Sequence, residues 1–164
     1  MNTLYAYNIS EIKKEKNFLE KTLNVSLSIK GKVITMDGSP LNEYEAEKVI
    51  EAINLGFSAK TAILATDENF AFEKLNIKDF TKRKNLEIIR GRLIGTKGKT
   101  KDTIEQITGC KIKIKDNSIG VIGPAESVQF TITAIGNIIK GTKHANAYKY
   151  LEKINSKKRM RGDN

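Results

Sequence analysis

One cysteine, Cys110, and one histidine, His144, are the chain's whole supply of the side chains that build disulfides and soft-metal sites. A lone thiol closes no internal disulfide, and the pair cannot hold a metal without recruiting unrelated carboxylates. Cys110 therefore reads as a small apolar residue at the start of a strand, and His144 as a structural or surface hydrogen-bonder. No apolar run of about 18 residues occurs, and the first residues do not have the pattern of a secretory signal. The expected compartment is the cytoplasm, with no membrane partner. Hydrolase elbows and paired acidic motifs are also missing. Gly98-Lys99-Thr100 resembles the end of a nucleotide-binding loop, but that loop needs a glycine where Leu93 stands. A dinucleotide fingerprint fails on the same spacing. No enzyme activity, cofactor or small-molecule substrate is expected.

Positive charge is abundant and unevenly placed. The 164 residues carry a net charge of +10, yet residues 1–69 hold 8 Lys/Arg against 10 Asp/Glu and residues 70–164 hold 21 against 9. The basic excess thus belongs to the second half. A cationic domain beside a near-neutral one suits a polyanion held mainly by one of them, because phosphate neutralisation supplies most sequence-independent affinity. The length and the 39% hydrophobic content allow two small domains.

Periodicity orders the second half. Residues 70–77 read as a strand, residues 81–94 as a helix with Leu86, Ile89, Leu93 and Ile94 on one stripe, and residues 100–108 as a second helix closed by Gly109. The two helices are separated by Gly95-Thr96-Lys97-Gly98. Cys110 to Lys115 alternates apolar and cationic, Asp116-Asn117-Ser118 is turn chemistry, and residues 119–122 return as a strand. Val128, Ile132, Ile135 and Ile139 mark a closing helix after Pro124. A further helix over residues 146–154 precedes a basic end, residues 156–164, expected to be disordered when free.

This order, with Leu93-Ile94-Gly95-Thr96-Lys97-Gly98-Lys99-Thr100 and Thr108-Gly109, resembles a K-homology (KH) domain of the eukaryotic and archaeal type, KH type I. The resemblance implies an α+β fold, a three-stranded sheet packed on three helices, whose glycine turn clamps about four nucleotides of single-stranded RNA. The first half repeats the order without the turn: strand 3–7, helix 10–22, hairpin 25–29 and 33–36, helix 42–55. No glycine lies between Tyr7 and Thr22, and Glu43, Glu45, Glu47 and Glu51 would repel phosphate. The chain is therefore expected to hold two tandem KH domains. Residues 1–69 form a degenerate copy suited to packing or protein binding, and residues 70–155 form the intact one.

The tandem, together with Ile77-Lys78-Asp79-Phe80, Ile89 to Gly95 and His144-Ala145-Asn146-Ala147-Tyr148, is similar to the "partner of Nob" family of ribosome-assembly factors. That resemblance implies a non-catalytic protein that holds the 3′ region of small-subunit ribosomal RNA beside an rRNA endonuclease. It also implies a link to the alpha subunit of translation initiation factor two. The short chain without an N-terminal extension suits an archaeal member.

The residues expected to carry RNA binding follow from the matching positions. Gly95 and Gly98 permit the turn and Thr96 lies between them; Lys97, Lys99 and Lys101 surround the phosphates; Arg90 and Arg92 bind phosphate or stack on a base. Ile94 and Ile112, with Ile104 and Ile114, supply an apolar floor or the core beneath it. Gly91 admits two readings, close helix packing or close ligand approach. Lys111, Lys113 and Lys115 read as a solvated strand face.

Overall fold

The structure, a computed structural model, describes residues 1–162. The chain forms two compact units, Met1–Phe72 and Glu73–Asn164.

In the first unit β1 (Asn2–Tyr5), α1 (Ile9–Lys14), α2 (Lys16–Leu23), β2 (Ser26–Lys30), β3 (Val33–Asp37) and α3 (Pro40–Asn54) follow one another. The sheet order is β1-β3-β2, with both pairings antiparallel. Ile34 and Met36 are fully buried on the sheet's inner face, and Ile12, Leu19, Ile50 and Ile53 cover it from the helices. Burying such side chains contributes roughly 1.5–3 kcal/mol each. The expected single helix over residues 10–22 is broken at Glu15, whose φ/ψ of −104°/17° separates α1 from α2 without any glycine. Ser39 caps α3, its hydroxyl accepting from the Asn42 amide at 3.2 Å, with Pro40 in the first turn. A short α4 (Ala59–Ala62) and a 3-10 turn (Ile63–Thr66) end the unit's helical part.

The second sheet combines β4 (Phe70–Asn76), β5 (Lys111–Lys115) and β6 (Ser118–Pro124) in the order β4-β6-β5. Between β4 and β5 lie α5 (Leu86–Ile94), a 3-10 turn (Thr96–Gly98) and α6 (Lys99–Thr108); α7 (Ala125–Lys140) and α8 (His144–Met160) follow β6. Alternation of lysine and isoleucine makes β5 a strand buried on one face only, whereas β6 is central and buried almost throughout. Gly109 ends α6 in the left-handed region at φ 75°.

Two boundaries differ from the sequence reading. The helix expected from residue 81 starts at Leu86. The Thr81 hydroxyl accepts from the Arg83 amide at 3.2 Å. Lys82, Arg83 and Lys84 place three positive charges where a helix N-terminus disfavours them. At the other end, α8 runs to Met160, so residues 156–160 of the expected disordered tail are helical; Lys158 bridges to Glu126 at 3.9 Å and to the Ser127 hydroxyl at 2.9 Å. Residues 163 and 164 of that tail lie outside the described residues. Among the described residues no helix is long and apolar enough to cross a membrane.

Candidate nucleic-acid interface

The turn between α5 and α6 is held in a backbone shape that side chains resist. Gly95 has φ/ψ of 78°/170°, Lys97 has φ 54° and Gly98 has φ 76°, so three of four successive residues are in positive-φ conformations. A Cβ on Gly95 would stand 2.6 Å from the Thr100 amide nitrogen and 2.8 Å from its Cβ. Gly95 is therefore required both by conformation and by the close return of α6. Hydrogen bonds from the Gly95 amide to Gly91 O (2.8 Å) and from the Gly98 amide to Gly95 O (3.1 Å) fix the bend.

Beyond the bend α6 begins at Lys99 with no side-chain cap, leaving first-turn amides that favour an anion. Thr96, Lys97 and Lys99 are exposed around it, and neither lysine makes an ion pair among the described residues. Their charges add to the positive end of the helix.

The outer face of α5 continues this surface. Ile88 is 63% exposed and Ile94 37% exposed, and Gly91 lies between them at helical spacing. Among the described residues, and apart from its chain neighbours and the backbone of α5 itself, a Cβ at Gly91 would meet nothing within 4 Å. Close helix packing therefore does not explain Gly91. What the glycine provides is a low saddle between two exposed isoleucines, beside the cationic turn. Ile88 was hidden in the sequence because the buried stripe of α5 passes through Ile89 and Leu93; an apolar residue off that stripe was the available signal.

Other expected binders are committed elsewhere. Arg92 donates from one guanidinium nitrogen to Ile138 O (2.7 Å) and from another to Thr142 O (2.9 Å), closing the C-terminal end of α7 rather than facing a phosphate. Its own carbonyl meets His144 Nε2 at 2.9 Å, so His144 ties α8 to α5. Arg90 donates to Asn117 Oδ1 at 2.8 Å and stays half-buried. Lys101 pairs with Glu105 (3.3 Å) and Asp102 (3.6 Å), which offsets most of its charge. Ile112 and Ile104 are buried and line, with Leu93, Ile114, Ile119 and Ile135, a gap of about 10 Å³; they are core beneath the surface.

Cys110 is buried, with the Thr131 hydroxyl 3.4 Å from its sulfur, and burial pushes its thiol pKa up. Among the described residues no three His, Cys, Asp or Glu side chains gather as a metal site.

Residues 71–156, which contain this turn, match the second KH domain of PNO1, a eukaryotic-type KH domain (KH-domain type I). The chain belongs to the PNO1 family of KH proteins. The KH domain-containing protein MJ0443 of Methanocaldococcus jannaschii is 31% identical over 149 residues, covering 87% of this chain and 66% of that protein. The RNA-binding protein PNO1 of Oryzias latipes is 31% identical over 153 residues, 91% of this chain and 61% of that one. The chain thus spans about two thirds or less of the curated relatives it matches. Among solved structures, Dim2p from Pyrococcus horikoshii superposes with a TM-score of 0.82 at 25% identity, covering 93% of this chain and 99% of that one. The a/eIF2alpha-aDim2p-rRNA complex from the same organism gives a TM-score of 0.83 at 25% identity, covering 95% and 94%.

Proposed function

We propose that this chain binds single-stranded RNA on the surface formed by α5, the Gly95–Gly98 turn and the start of α6. We further propose that it serves as a non-catalytic factor in maturation of the 3′ region of small-subunit ribosomal RNA. The observation that carries the reading is the glycine turn: a fixed positive-φ bend, an uncapped helix start and two unpaired lysines beside an open apolar face. Gly95, Thr96, Lys97, Gly98 and Lys99 take the phosphates. Ile94, with Ile88 and Gly91, offers the surface on which bases lie. Arg90 stands at the rim and Lys101 adds to the field, while Arg92 and Ile112 act from beneath by holding α5 and β5.

The reading is supported by relatives named as RNA-binding and pre-rRNA-processing proteins and by the Pyrococcus assembly that contains rRNA. That assembly also contains a/eIF2alpha, which supports a second role as an adaptor to the alpha subunit of translation initiation factor two. An rRNA endonuclease is the further partner, and an archaeal cytoplasm the setting. The first unit is a degenerate KH copy, a reading supported by its element order and by its strand order, which matches that of the second sheet.

Replacing Thr96 and Lys97 together by Asp tests the site. Position 97 tolerates Asp because its backbone lies in a region that Asp adopts readily. Titrating a labelled RNA that ends in the 3′ sequence of small-subunit rRNA should show at least a tenfold loss with an unchanged melting temperature. The logarithmic salt slope of the unmodified chain should be about −0.7 per phosphate neutralised. Unchanged affinity in the double variant would remove the turn from the contact surface.

A further inference from the structure

The first unit lacks the glycine turn, but the outer face of its sheet carries a different arrangement. Antiparallel register places Tyr5 opposite Val33 and Val33 opposite Lys30, so these three side chains form one row across β1, β3 and β2. All three are exposed, Tyr5 by 48% and Val33 by 40%. The next row on the same face is Thr3, Thr35 and Ser28, three hydroxyls roughly 7 Å farther along the strands. Asp37 enters only in the row after that, paired with Ser26.

Tyr7 extends the first row beyond the strand end. Its ring is 66% exposed and lies 5.0 Å from that of Tyr5 at a tilt of 57°. The backbone beneath both rings is clamped. Asn54 Nδ2 donates to Tyr5 O at 3.0 Å, Asn54 Oδ1 accepts from the Tyr7 amide at 2.8 Å, and the Ala6 amide donates to Lys32 O. Ala6 between them is fully buried, which fixes the direction of both rings. Lys30 closes the first row on β2 and Lys32 lies in the hairpin turn beside it, both exposed and without an ion pair among the described residues.

Rigid aromatic faces, unpaired lysines and a row of hydroxyls, with no carboxylate in the first two rows, match the chemistry that single-stranded nucleic acid recognises. Bases stack on the rings, phosphates meet the lysines and hydroxyls reach sugar or phosphate oxygens. The unneutralised cation in the row, Lys30, with Lys32 in the adjoining turn, favours a polyanion over an apolar protein surface. We infer that the outer face of the first sheet, centred on Tyr5, Tyr7, Lys30 and Lys32, is a second, stacking contact for single-stranded RNA. It rests on the proposed RNA-binding reading, but it uses a sheet face in the unit that has no glycine turn.

The test uses the full chain and two fluorescein-labelled oligouridines, one of four nucleotides and one of twelve. Four nucleotides fill a KH surface, whereas a strand of twelve has length left over for a second contact. Tyr5→Ala with Tyr7→Ala should weaken the 12-mer about tenfold, the effect of losing one or two stacked bases, and change the 4-mer less than twofold. Tyr5→Phe with Tyr7→Phe should restore 12-mer affinity, since stacking needs the ring and not the hydroxyl. Lys30→Glu with Lys32→Glu should weaken the 12-mer and flatten its salt dependence. Melting temperatures report whether the unit stays folded.

Unchanged 12-mer affinity in the alanine pair would overturn the inference, and so would an alanine pair that loses binding only to the a/eIF2alpha type of protein. If the unmodified chain binds the 4-mer, and the Thr96→Asp/Lys97→Asp variant does not, the parent reading survives such a result. If the unmodified chain binds neither RNA, both readings fall.

Discussion

Glu20 and Glu105 do the same work in the two units. Glu20 Oε2 accepts from the Leu27 amide at 2.9 Å, and Glu105 Oε2 accepts from the Ile112 amide at 2.8 Å. Each carboxylate also meets the lysine one helical turn earlier, Lys16 at 3.9 Å and Lys101 at 3.3 Å. The glutamates, the amides and the lysines are each 85 residues apart (105 − 20, 112 − 27, 101 − 16). The same interval relates Asn24 to Gly109, both left-handed helix caps, and Gly31 to Asp116, both at positive φ in a hairpin turn. The units therefore share a register and not merely an order of elements. The repeat stops matching where α1 meets α2, because Glu15 alone makes the break that Gly95 to Gly98 makes in the second unit.

Removing either carboxylate leaves a partly buried edge-strand amide without its acceptor. Such a loss costs about 1–3 kcal/mol. Glu20→Ala and Glu105→Ala are expected to destabilise their own units by similar amounts, read as earlier midpoints in urea unfolding. Glu105→Ala should also release Lys101, so its RNA affinity at low salt should not fall in step with its stability.

Arg92→Ala separates support from contact. The two carbonyls its guanidinium satisfies, at Ile138 and Thr142, lose charge-assisted partners worth about 1.5–3 kcal/mol each. The expected outcome is a clear loss of stability in urea, with RNA affinity per folded molecule changed less than twofold. Arg92→Lys retains the charge but not the fork, and should recover little of the stability. A variant of full stability that loses RNA would place Arg92 at the interface instead.

Much of this was legible in the sequence where one constraint dominates. Strict Lys-Ile alternation fixed the face of β5, and Gly109 marked the end of α6, because each is a local rule with one structural solution. The glycine turn was legible for the same reason. Arg92 was not. Its partners lie 46 and 50 residues away, and composition cannot distinguish an arginine that closes a helix end from one that meets phosphate. The start of α5 lies five residues later than apolar spacing implies (86 − 81), because that spacing says nothing about the cost of three cations at a helix N-terminus. Tyr5 and Tyr7 are not legible as a site, because their significance comes from the row they complete with Val33 and Lys30, which needs the register of three strands.

Cys110 should be inert in the native state. Burial raises its pKa, so the thiolate is scarce, and the sulfur is covered. A thiol reagent should react only after unfolding. The folded pKa lies above the unfolded value, so the thiol's contribution to stability is full below the unfolded pKa and is lost as pH rises through the folded one. Urea midpoints measured from pH 7 to 10 should therefore fall more steeply for the native chain than for Cys110→Ala. Equal slopes would show that the thiol is not shielded.

Three glycines near the turn should respond to alanine in three different ways. At Gly91 there is open space and helical backbone, so alanine should stabilise α5 by about 0.5–1 kcal/mol. The added methyl would nevertheless fill the saddle between Ile88 and Ile94, and RNA affinity should fall as stability rises. At Gly98 a new Cβ would meet, among the described residues beyond its chain neighbours, Asp102 Oδ2 at 3.9 Å, an ordinary contact, so alanine meets backbone strain alone, about 1 kcal/mol at φ 76°. At Gly95 the same strain is joined by collision with the backbone and side chain of Thr100. Gly95→Ala should therefore be the most destabilising of the three, and it should shift the start of α6 enough to abolish binding. Thermal melts and RNA titrations on the three variants give six numbers. A Gly91→Ala variant that is more stable and binds as tightly as the native chain would show that the α5 face is not where the bases lie, even if the turn still holds the phosphates.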